Sequence, residues 1–183
     1  MKKAGAVLLG IAAFAAIPAL AHDDEGTRFG GNLVGYNETP QTLSTTGHGR
    51  FDARIDERNR EIRYQLSYGD LEGTVTQAHI HLGRPATTGG ISAFFCTNLG
   101  NGPAGTQACP QPTPGSDAMV SGTITPADVI GPAGQGISAG EWDELVAAIR
   151  ATATYANVHT TKYPGGEIRT PVRRGHSRGG DRD

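Results

Sequence analysis

Residues 51 to 68 alternate apolar and polar side chains with a period of two, and this pattern restricts the possible folds more than any other part of the chain. Phe51, Ala53 and Ile55 interleave with Asp52, Arg54 and Asp56; after a polar turn at Glu57 to Arg60, Ile62, Tyr64, Leu66 and Tyr68 interleave with Arg63, Gln65 and Ser67. Successive side chains on a strand point to opposite faces, so the segment reads as an antiparallel hairpin with one buried face. Similar runs predict strands at Phe29–Tyr36, Thr74–Leu82, Met119–Thr125, Ala153–Thr160 and Glu167–Val172. Glycine fills 27 of 183 positions, about twice the usual share, which supplies the tight turns such strands need. An all-β antiparallel domain, arranged as a β-sandwich, follows.

One helix interrupts this pattern. Ser138 and Glu141 form a capping box, and Trp142, Leu145, Val146 and Ile149 then fall on a single apolar stripe, predicting an amphipathic helix over Ala139–Arg150 that packs across one end of the sandwich. Thr125-Pro126-Ala127-Asp128 starts another helix that Gly131-Pro132 stops after about one turn. Gly134 and Gly136 have neither the spacing nor the lysine of a phosphate loop.

The N-terminus sets the expected compartment. Lys2 and Lys3 precede an apolar run from Ala6 to Leu20, and Ala19-Leu20-Ala21 has the small-x-small pattern of a signal-peptidase site. Residues 1–21 therefore read as a signal peptide delivering a periplasmic or secreted protein that begins at His22, and no cysteine follows the cut to carry a lipid anchor. Pro18 breaks the end of the run, which argues against a membrane span. Residues 22–28, led by His22-Asp23-Asp24-Glu25, read as a mobile leader, and 173–183, with four arginines and nothing apolar, as a disordered tail. The domain occupies 29–172. Against 18 acidic residues stand 16 basic ones, of which Lys2 and Lys3 leave with the signal, so the exported chain carries −4. This excludes a globally basic nucleic-acid binder.

Cys96 and Cys109 are the only cysteines, and export makes a disulfide between them the expectation. It would close a Gly- and Pro-rich loop inside the long insertion from Gly83 to Asp117 and stabilise the domain by roughly 3 kcal/mol. The spacing lacks the close cysteine pairs of zinc sites.

The histidines form the one constellation with chemical potential. His79 and His81 lie two apart on one strand and share a face, whereas Ala78, Ile80 and Leu82 suit the core. On the Ala153–Thr160 strand Ala156 and Val158 suit the core, so Tyr155, Asn157 and His159 point outward. If the two strands are neighbours, three imidazoles converge on the outer sheet face, a ligand set for copper or zinc. Glu167 and Arg169, on one face of the following strand, are expected beside them, with Asn157, as groups that orient the imidazoles. His48, between glycines, reads as a turn residue, and His176 belongs to the tail.

Several phrases together resemble the CHRD family, the domain described first in chordin and found as single copies in exported bacterial proteins. They are Leu33-x-Gly35-x-x-Glu38-x-Pro40, Ala78-His79-Ile80-His81-x-Gly83, Gly122-x-Ile124-Thr125-x-x-Asp128, and Tyr155-x-Asn157-Val158-His159-Thr160 followed by Pro164-Gly165-Gly166-Glu167-Ile168-Arg169. Tyr163 stands where Asn often precedes the Pro, and Thr170-Pro171 replaces Gly-Gln. The resemblance implies an immunoglobulin-like Greek-key sandwich and no activity; the growth-factor antagonism of chordin is not transferred. The outward H-x-H with a distant strand histidine is also similar to the copper site of copper/zinc superoxide dismutase, although the clustered ligands of that enzyme's zinc loop are missing. No nucleophile with its base and no cofactor fingerprint occurs. Two functions are therefore expected, a non-enzymatic binding or structural module of unknown partner, and a copper or zinc protein built on His79, His81 and His159.

Overall fold

The computed structural model describes residues 27–175. The expected signal peptide, His22, most of the leader and the tail beyond residue 175, with His176, lie outside them. In chain order the elements are β1 (Thr27–Val34), β2 (His48–Asp56), β3 (Glu61–Gly69), β4 (Val75–Leu82), β5 (Ile91–Thr97), β6 (Ala118–Ile124), α1 (Trp142–Arg150), β7 (Thr154–Thr160), β8 (Ile168–Pro171) and β9 (Arg173–Arg174). All pairings between these strands are antiparallel. The expected hairpin is β2–β3, with Phe51 opposite Leu66 and Ile55 opposite Ile62. Its apolar set is buried throughout.

The strands form one continuous sheet in the order β5-β4-β7-β8-β1-β2-β3-β6, with β9 added beside β1. A sandwich of two separately bonded sheets was expected. The difference arises at β1, which pairs with β2 along its whole length and also with β8 at Val34–Arg169, so that two four-stranded halves stay joined and curl into a nearly closed barrel. The remaining gap lies between β5 and β6. Gln107 bridges it, its amide donating to the carbonyls of Phe95 on β5 and Ser121 on β6 and to the Tyr64 hydroxyl.

Three sequence expectations need correction. Thr27 and Arg28 belong to β1 and Arg173 and Arg174 to β9, so leader and tail each give residues to a strand; β9 forms because β1 offers an unpaired backbone edge at Phe29 and Gly30. The segment from Gly83 to Asp117, read as an insertion, contains a core strand, β5, whose Phe95 packs between Phe51 and Tyr64 with ring centroids 5.0 and 4.8 Å away. The helix starts at Trp142 rather than Ala139. Only half of the capping box forms, because the Glu141 carboxylate accepts from the Ser138 amide while no side chain caps the helix itself.

The apolar stripe of α1 is buried as expected, with Trp142, Leu145, Val146 and Ile149 all in the core. Arg150 pairs with Glu57 and Arg60 with Asp143, fastening the helix to the β2–β3 turn. The Thr125–Asp128 capping box is complete and holds one turn, Pro126–Asp128. Cys96 and Cys109 form a disulfide, and the loop it closes is docked by Asn98, whose amide donates to the carbonyls of Val75 and Cys109. His48 lies in β2, exposed, with Nε2 3.1 Å from Asp117. No helix among the described residues is long and apolar enough to cross a membrane.

Candidate metal centre

Strand register places the histidines. β4 runs between β5 and β7, and directly opposed residues project from the same face. His79 therefore shares one row with Phe94 on β5, Asn157 on β7 and Arg169 on β8, while His81 lies opposite Tyr155. His159 is two residues beyond Asn157 on the same strand, hence on the same face. One potential ligand nitrogen from each of His79, His81 and His159 lies within 4.8 Å of the others. The two strands are neighbours, and the three imidazoles converge as the spacing predicts.

Their environment differs from the expected one. An outer, solvent-facing site was anticipated, yet His79 is fully buried and His81 and His159 are only 6% and 7% exposed. Three segments roof this face of the sheet: Glu38–Thr39 after β1, Arg84–Gly89 after β4, and the β7–β8 turn at Pro164. A polar alternation along a strand marks the non-core face, and it contains no information about loops that fold back over that face.

Hydrogen bonding fixes the proton on each ring. The Nδ1–H of His81 donates to the Gly89 carbonyl at 3.0 Å, and that of His159 to the Pro164 carbonyl at 2.9 Å. A carbonyl can only accept, so in the neutral rings both Nε2 atoms carry lone pairs. Nε2 of His159 in turn accepts from His79 Nδ1–H at 3.2 Å. His79 Nε2 is left with a lone pair as well. Among the described residues neither His79 Nε2 nor His81 Nε2 has a hydrogen-bond partner, although both are buried. Leaving a buried acceptor unsatisfied costs about 1–3 kcal/mol each.

Burial keeps these rings neutral. Desolvation, with repulsion from His159 and His81, lowers the pKa of His79 to about 2. Desolvation and the nearby His159 bring His81 to about 4, against the opposing Gly89 bond. His159 is shifted down by desolvation too. Neutral imidazole is the form that ligates metal.

The surrounding polar groups are tightly held. The Tyr155 ring lies parallel to His81, and the Arg169 guanidinium sits 3.4 Å from the Tyr155 ring centroid. Arg169, 1% exposed, donates to Thr39 Oγ1 and to the carbonyls of Arg84 and Thr87, clamping two roof segments at once. Asn157 donates to Glu38 Oε1 and to the Ile168 carbonyl. Glu38 is buried, and desolvation, opposed by Asn157 and Arg169, pushes its carboxyl up to about 7. Gly89 must be glycine, because a Cβ there would lie 1.6 Å from the Leu82 carbonyl oxygen.

Glu167 corrects another expectation. Its carboxylate accepts from Thr45 Oγ1, the Glu72 amide and Thr160 Oγ1, and makes no hydrogen bond to His79, His81, His159 or Arg169. Thr160 alternates with His159 along β7, so Glu167 reaches toward the side of the strand away from the imidazoles. The acceptors that orient the rings are backbone carbonyls instead. Glu38, Phe94 and Gly89 were not anticipated as site residues. Only Glu38 had a signal, its place in the Leu33-x-Gly35-x-x-Glu38-x-Pro40 phrase.

Comparison with known proteins adds one finding. The model of the CHRD domain family matches residues 29–172. No curated protein and no solved structure matches the chain.

Proposed function

The chain belongs to the CHRD family, and on that premise we propose that it is a non-enzymatic binding module whose ligand is a single copper or zinc ion held by His79, His81 and His159. The observation that carries this reading is the pair of buried, unpartnered lone pairs on His79 and His81, adjacent to a third imidazole whose proton is fixed on its far nitrogen. An ion ligated by one nitrogen from each ring satisfies all of them. Ligand nitrogens about 2 Å from one ion lie at most about 4 Å apart, so the widest pair closes by less than about 1 Å from the 4.8 Å limit.

The Gly89 and Pro164 carbonyls act as the outer acceptors that set tautomer and ring orientation in metal sites. We read the two joined four-stranded halves as the layers of an immunoglobulin-like sandwich that remains bonded along one corner. We place the protein in the periplasm or outside the cell, on the strength of residues 1–21 and a disulfide that needs an oxidising compartment.

Metal analysis of protein exported into medium supplemented with copper and zinc tests the function. One ion per chain is expected in the wild type, and far less in His159→Gln. Metal-free wild-type protein that binds neither ion when either is added back would contradict it.

A further inference from the structure

We infer that the ion selected by this site is monovalent copper rather than a divalent ion, an inference that rests on the metal-binding reading above. The three ligand groups are neutral. Among the described residues the carboxylates near this part of the sheet are hydrogen-bonded elsewhere, Glu167 with Thr45, Thr160 and the Glu72 amide, and Glu38 with Asn157. An ion held here keeps its whole charge in a buried environment, and the cost of desolvating an ion rises with the square of that charge. A dication therefore loses about four times as much as a monocation on entry.

The positive charge of Arg169, which acts on His81, works in the same direction. Arg169 lies on the same sheet face as the histidines and stacks on Tyr155, which stacks on His81. Its repulsion doubles from a monovalent to a divalent ion. Coordination number agrees with the charge argument. Zinc with three protein ligands takes a fourth from water or substrate, whereas copper(I) is satisfied by two or three nitrogen donors, and the rings here are at most 7% exposed.

Anaerobic competition of the full exported chain, disulfide intact, against a chromogenic copper(I) chelator, with parallel titrations of zinc sulfate and copper(II) chloride, tests the inference. Copper(I) is expected to bind at least 100-fold more tightly than either divalent ion. Arg169→Gln, examined if it folds, should raise zinc affinity by twice the logarithmic factor it gives copper(I), because the Coulomb term scales with ionic charge. Zinc or copper(II) binding to the wild type as tightly as copper(I), and lost in His159→Gln, would overturn the inference while leaving the three-histidine site in place. Failure of all three ions to bind would overturn both.

Discussion

Tyr155 lies flat on His81, the ring planes 1° apart and the centroids separated by 4.7 Å. The same tyrosine accepts a hydrogen bond from the Gly89 amide, whose carbonyl takes the His81 proton. One side chain thus supports the imidazole from its face and steadies the segment that orients its edge. Tyr155→Phe keeps the stack and loses the hydroxyl, and should cost about 1 kcal/mol. Tyr155→Leu also loses the contacts with His81 and with Arg169, and should cost about 2–3 kcal/mol. Urea unfolding of the two variants checks this; equal losses would show that the stack contributes nothing.

The site illustrates what sequence can and cannot convey. His79, His81 and His159 were legible because strand periodicity fixes which residues share a face, and Ala78, Ile80, Ala156 and Val158 marked the other face as core. Trp142, Leu145, Val146 and Ile149 were legible for the same kind of reason. The roof was not. It is built by Glu38, Arg84, Thr87, Gly89 and Pro164 from three loops, held by hydrogen bonds from side chains of β4, β7 and β8, and such contacts leave no period in the sequence. Arg169 was expected near the histidines but as a surface group; its burial follows from carbonyls that only the folded loops bring to it. The continuity of the sheet likewise depends on one pairing, Val34 with Arg169, that no local pattern encodes.

Acid should destabilise the domain. The unfolded chain protonates each histidine near 6.5, whereas the folded state holds His79 down to about 2 and His81 to about 4. Their stabilising contribution is complete above 6.5 and is lost as pH falls toward the folded values. Glu38 works the opposite way, since its raised pKa favours folding below 4.5 and less so as pH rises through about 7. Between pH 6.5 and 4.5 these histidines, with His159 shifted the same way, outweigh the single carboxyl, so unfolding takes up protons and stability drops as the pH falls. Glu38→Gln should steepen the drop. Urea midpoints at pH 6.5, 5.5 and 4.5 measure it, and a rise in stability on acidification would refute this account.

Trp142→Ala should destabilise the domain by about 3–5 kcal/mol, because the ring is 2% exposed and anchors α1 in the core. Thermal or urea unfolding gives the value. A loss under about 1 kcal/mol would be incompatible with such an anchor.

Replacing Cys96 and Cys109 together by serine should cost roughly 3 kcal/mol and loosen the segment docked by Asn98 and Gln107, which closes the gap between β5 and β6. Denaturing mass spectrometry after alkylation first establishes the oxidised state in exported protein. Two alkylatable thiols in that material would contradict the bond itself.

The central claim is that His79, His81 and His159 bind one ion together. X-ray absorption at the copper edge of protein loaded with one equivalent of copper reads this directly, because scattering from imidazole rings is distinct from that of water or carboxylate oxygen. Three nitrogen ligands at about 2 Å are expected, each with the outer-atom scattering of an imidazole, falling to two in His81→Gln. A first shell of oxygen only, or a spectrum unchanged in His81→Gln, would contradict it.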